Sequence, residues 1–303
     1  MTTDRGVAPH KDILMKQCRL IGLCALVFLF AGPSAYADAP VWKVSNGNQH
    51  LFIGGTVHVL SPSDYPLPDE FETAYRQAST IVFEADPEKL QTPEFQQALH
   101  ARTTYPPGRD LTMVLDDETE EALEQHLASR GIPMDNIIRF KAGMVSITLT
   151  VIELQRLGLA GTGVDEFFGL RALQDQKTVQ GLETAEEQLA YIATMGEGRE
   201  DAMIDYTLRQ IGELPQLMQA MKAAWRSGDN ARMEAVAMKP LEEDFPEVHD
   251  RFVTQRNAAW LPEIEAMLQT GPVEFVLVGA LHLVGDDGLL AQLKARGYSV
   301  ENL

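Results

Sequence analysis

The chain has 303 residues, enough for one sizeable α/β domain or two small ones. Hydrophobic residues make up 45% and charged residues 23%, the balance of a globular protein with a buried core. A formal net charge of −19 argues against nucleic acid, whose binding needs Lys and Arg to neutralise phosphate, and equally against an anionic membrane surface.

The first element in chain order is a targeting segment. Lys11, Lys16 and Arg19 precede an apolar run at 20–31, and Ala35-Tyr36-Ala37 follows before Asp38, the order of a secretory signal peptide. The stretch before Lys16 is long for such a signal, which makes Met15 an alternative start; an uncleaved anchor is the competing reading. The expectation is that 1–37 is removed, leaving 38–303 as a single periplasmic or secreted domain without stable membrane insertion. Cys18 and Cys24 both fall in the signal, so the rest of the chain has no disulfide, cysteine nucleophile or thiolate metal site.

Short β patterns at 41–45 and 50–53 flank Asn46-Gly47-Asn48, a hairpin signal. The second runs into Gly54-Gly55-Thr56-Val57-His58. A proline-punctuated loop, a helix starting near Asp69 and a strand Thr80-Ile81-Val82-Phe83 ending in Glu84 predict a parallel pair joined by a crossover. Helical patterns dominate about 92–175 and 186–270, with a glycine-rich break at 158–163 read as a helix stop and restart rather than a dinucleotide site. Between these blocks a strand at 178–182 ends at Glu183. The chain closes with a strand at 274–278, then Gly279-Ala280-Leu281-His282, a helix near Asp286 and a last strand. The predicted fold is α/β: a mixed, largely parallel sheet with large helical insertions covering the strand ends.

Gly55–His58 and Gly279–His282 repeat one pattern of apolar strand, glycine, two residues and histidine. Reactive groups in α/β sheets gather at the carboxyl ends of strands, and the glycines are expected to leave room there for a substrate or metal. Glu84 is expected on the same rim. Two histidines and a carboxylate suit a catalytic divalent metal, which would lower the pKa of bound water, or acid/base chemistry without one; separate hydrogen-bonded roles are the alternative. Asp165 and Glu183 lie beside glycine-containing turns. Arg256 is read either as an anchor for a substrate carboxylate or oxyanion or as an ion-pair partner.

Val41-Trp42-Lys43-Val44, the two motifs, Phe83-Glu84, Gly163-Val164-Asp165, Gly181-Leu182-Glu183-Thr184 and Arg256-Asn257 together resemble the TraB/PrgY/GumN family, whose animal relatives are the Tiki proteases. The resemblance spans nearly the whole chain after the signal. It implies a fold related to erythromycin esterase and the ChaN proteins, and a cluster of His58, Glu84 and His282. From the Tiki members it implies a divalent metal, manganese or cobalt, held by those three residues, whose types suit zinc as well. Glu183 and Arg256 would then assist catalysis, and Asp165 and Asn257 would bind substrate. The leading expectation is an exported metal-dependent hydrolase, a peptidase acting on a peptide or other small substrate. The alternatives are a metal-free, esterase-like hydrolase with a histidine general base, and a non-catalytic binder of peptide, haem or saccharide.

Overall fold

The computed structural model describes residues 39–303; the expected signal segment and both cysteines lie outside them. The described chain enters through the expected hairpin. Strand β1 (Val41–Asn46) pairs antiparallel with β2 (Gln49–Thr56), with Asn46 opposite Gln49 across the turn. The short β3 (Val59–Leu60) follows, then the helix Asp69–Gln77 and β4 (Thr80–Ala85). The remaining strands are β5 (Gly161–Thr162), β6 (Thr178–Glu183), β7 (Glu274–Gly279) and β8 (Ser299–Asn302). Six of them form one sheet in the order β6-β4-β7-β2-β1-β8, and β3 pairs with β5 apart from it. β6, β4, β7 and β2 run parallel; β1 is antiparallel to both β2 and β8.

β2 and β4 are parallel, as expected from the crossover, but they are not neighbours. β7 lies between them, hydrogen-bonded to both. The central strands read as nearly continuous apolar runs because both sheet faces are covered. Alternation still sorts them: Phe52, Ile81, Phe83, Phe275 and Leu277 point into one core with Phe71, Phe168 and Trp225. Ile53, Val82, Val276 and Val278 point into the other, against Trp260, Ile264, Leu289 and Leu293.

The two helical blocks share a third core instead of folding separately. Leu123 and Leu127 of the helix Asp117–Ser129 and Val145 and Leu149 of the helix Ala142–Arg156 pack with Met203, Ile204 and Ile211 of the long helix Glu200–Arg226. Buried methionines (Met203, Met218, Met233, Met238) serve as core filler. The last helix, Leu289–Ala295, begins three residues later than expected, after a turn that contains Gly288. No helix among the described residues is long and apolar enough to cross a membrane.

Candidate active site

Because β6, β4, β7 and β2 are parallel, their carboxyl ends open on one edge of the sheet. That edge receives Glu183 from β6, Glu84 from β4, His282 from the single turn Ala280–Leu283 after β7, and His58 after β2. Gly55 pairs with Val278 and Thr56 with Gly279, so the two glycine–histidine motifs are staggered by one residue instead of lying in register. Their histidines accordingly end in different surroundings.

Arg256 occupies the middle of the rim. A π-helical turn, Asp250–Thr254, directly precedes the helix Gln255–Met267 that carries it. Such a turn inserts an extra residue and re-aims the side chains after it. The guanidinium is 7% exposed and makes a forked pair with Glu183, Nε donating to Oε2 at 2.9 Å and Nη2 to Oε1 at 2.7 Å. Nη2 also donates to Glu84 Oε2 at 2.6 Å. Glu84 Oε1 accepts the Gly279 N–H at 2.7 Å. Burial pushes the Glu84 carboxyl up, but His282 once it is charged in acid, Arg256, His58 and that N–H outweigh it and bring its pKa down to about 2. Burial raises Glu183, against the opposing pull of Arg256.

His282 is buried and its tautomer follows from its neighbours. Asn257 Nδ2 donates to the carbonyls of His282 and Asp287 at 3.1 and 2.9 Å, which leaves Asn257 Oδ1 as an acceptor 2.8 Å from His282 Nδ1. Nδ1 therefore carries the proton. The bare Nε2 accepts from Arg256 Nη1 at 3.2 Å. Burial, reinforced by the Arg256 and His58 charges and opposed by Glu84, pushes its pKa down to about 4, so it is neutral at pH 7. Asn257 is 1% exposed with its polar atoms engaged; it positions His282 and is not open to substrate, contrary to its expected role.

His58 is the exposed member of the set. Its Nδ1 lies 3.2 Å from Asp165 Oδ1, and 69% of its side chain faces water against 34% for Asp165. Contact with that carboxylate raises its pKa above 6.5 despite partial desolvation, and Glu84 adds to the rise; water screens part of the effect. The pair is built by the β3–β5 ladder, which sets Val59 opposite Thr162 and Leu60 opposite Gly161. Val164 N–H then donates to Val57 O at 3.1 Å. A Cβ on Gly163 would lie 2.2 Å from His58 O, so only glycine lets the backbones close. Asp165 thus supports His58, whereas the sequence assigned it to substrate.

The model of the TraB/PrgY/gumN family matches residues 40–302. The chain belongs to the TraB/PrgY/gumN family. It is similar to the protein called "Uncharacterized protein YbaP" of Escherichia coli (strain K12), 26% identical over 250 residues that cover 82% of this chain and 89% of that one. The protein of the same name from Shigella flexneri is similar to the same extent, 26% over 250 residues. No solved structure matches.

In this TraB/PrgY/gumN member the motif glycines do not hold open space for a ligand. A Cβ on Gly279 would press on Glu84 Oε1 at 3.2 Å, and one on Gly55 would meet Leu283 at 3.2 Å and Ala280 at 3.4 Å. The set expected to bind a divalent ion, His58, Glu84 and His282, does not fit one in this arrangement. Both Glu84 oxygens are engaged, His282 Nε2 faces a guanidinium, and a dication there would meet the fixed charge of Arg256. Among the described residues no three His, Cys, Asp or Glu side chains converge as metal ligands. Two tryptophans escaped the sequence reading. The Trp260 ring packs tilted against His282, 4.5 Å between centroids, and lies 4.5 Å beneath Arg256; its spacing of four from Arg256 places both on one helix face and was a usable signal. Trp225 Nε1 donates to Gly55 O at 2.7 Å, a contact across 170 positions that no local pattern announces.

Proposed function

We propose that the protein is an exported hydrolase, acting on a peptide or other small carbonyl substrate, in which His58 is the general base. The observation that supports this reading is the asymmetry of the two motif histidines. His282 is buried, neutral and spent on Asn257 and Arg256, whereas His58 is open to water and backed by a carboxylate. With Nδ1 facing Asp165, the free Nε2 takes a proton from water as the water oxygen attacks the substrate carbonyl carbon. The resulting imidazolium is stabilised by Asp165 and returns the proton to the leaving nitrogen or oxygen as that bond breaks. Arg256, Glu84, Glu183 and Asn257 act as positioning residues that hold the rim rigid around the reacting site.

The test is hydrolysis of a panel of peptide and ester substrates by the purified protein, before and after exhaustive chelation. Turnover is expected to survive chelation and to fall by about 10²–10⁴-fold in His58→Ala. Activity abolished by chelation and restored by manganese, cobalt or zinc would replace this reading with a metal-dependent one. Stoichiometric retention of a small molecule without turnover would point to a binding role.

A further inference from the structure

A groove of about 850 Å³ runs between the long helix Glu200–Arg226 and the helical stretch that follows it, and ends on Leu281, inside the second glycine–histidine motif. Tyr206, Gln210, Glu213, Leu217 and Ala220 recur every three or four residues, so one whole stripe of the long helix faces the groove. Val236, Ala237 and Leu241 form the opposite wall. Val236 and Ala237 sit in a second π-helical turn, Glu234–Met238. The volume lies in the range of small-molecule and peptide sites. Of the second motif only Leu281, the residue before His282, belongs to the lining.

We propose that this groove is a substrate subsite that takes an apolar peptide segment bearing a positive charge. The proposal rests on the hydrolase reading for its link to catalysis. Leu217, Met221, Val236, Leu241 and Leu281 give the groove an apolar part, which favours side chains such as leucine. Glu213 is the sole charged residue of the lining, and no cation faces the groove, so a carboxylate, phosphate or sulfate group would meet only negative charge. A lysine, arginine or free amino terminus would meet Glu213. Gln210 and Gln216 each offer a donor and an acceptor, the pair of groups that a peptide bond requires.

Gly212 provides a clean test. It lines the groove, and a Cβ built on it meets nothing within 4 Å, so a larger side chain is accommodated at the groove without a clash and with better helix propensity. Binding of Leu-Leu-Lys amide, Leu-Leu-Glu and octanoate is measured by calorimetry in the His58→Ala protein, where turnover does not interfere. Leu-Leu-Lys amide is expected to bind best, Gly212→Phe to weaken it by about tenfold or more, and Gly212→Ala to leave it unchanged. Glu213→Lys, an exposed change, is expected to invert the preference between the lysine and glutamate peptides. Equal binding of octanoate or Leu-Leu-Glu, no binding of Leu-Leu-Lys amide, or affinity indifferent to Gly212→Phe would each overturn the assignment. Because binding is read without catalysis, failure of the hydrolase reading leaves this measurement standing, and hydrolysis untouched by Gly212→Phe rejects the groove alone.

Discussion

Asp165 and Arg256 each set the protonation of a neighbour, and each role has its own readout. A raised pKa keeps His58 protonated further into the alkaline range, so base-catalysed turnover is expected to climb with pH through a value above 6.5. Asp165→Asn removes the carboxylate and moves that limb to lower pH, with a lower plateau because the imidazolium formed in the reaction loses its partner. A profile unmoved by Asp165→Asn would rule out the pair as the catalytic unit. Arg256→Met leaves Glu84 and Glu183 buried without their cation and is expected to cost about 3–5 kcal/mol, read from the urea midpoint. Glu183, already raised by burial, takes up a proton first and limits the loss. Arg256→Lys recovers little, since one ammonium cannot span two carboxylates and His282 Nε2.

At the scale of elements, the two-residue strands β3 and β5 do more for the site than their size implies. They clamp the loop after β2 to the start of the helix Val164–Gln174 and thereby seat His58 against Asp165. Gly163→Ala forces a Cβ into the His58 carbonyl, so the clamp opens while the six-stranded sheet keeps its pairing. The expected result is unchanged far-ultraviolet circular dichroism, a thermal midpoint several degrees lower, and a pH–rate limb fallen towards the ordinary histidine value. A lowered midpoint with an unaltered limb would show that the clamp is structural only. The π turn before Arg256 works in the same way on the other half of the site, by facing Arg256, Asn257 and Trp260 inwards together.

For the whole molecule, buried groups with displaced pKa values make stability depend on acidity. Folded His282 binds its proton only near about 4, whereas the unfolded chain binds it at 6.5. Between those values the unfolded state holds more protons, so stability falls as pH drops from about 6.5 to about 4. Glu84 extends the decline between 4.5 and about 2, since its folded pKa is the lower one. Glu183 acts the other way, since burial makes the folded state take up its proton at higher pH than the unfolded chain does. Loss of net negative charge on acidification does so too, but it is spread over an exposed surface and screened in about 0.2 M salt. Urea unfolding across this range is expected to show the decline, and His282→Gln to flatten its upper part. A pH dependence between about 7 and about 4 that is the same in His282→Gln as in the parent chain would contradict the buried, neutral state of His282.

Hydrophobic runs and turn residues by themselves determined the hairpin, the positions of the other strands, one parallel pair, the helical blocks and which polar residues stand at strand ends. Those are local signals: a two-residue turn, period-two alternation and a polar residue at a strand end are all written within a few positions. Tertiary structure alone decided what the rim residues do. β7 slips between β2 and β4, and its one-residue stagger against β2 leaves one motif histidine in water and the other buried. Arg256 arrives from far along the chain, at a rotation set by a π turn, and takes Glu84, the carboxylate expected to hold a metal, together with Glu183. Depth of burial and the placement of one charge among several depend on distances between remote segments, and these exist only once the sheet and its helices have packed.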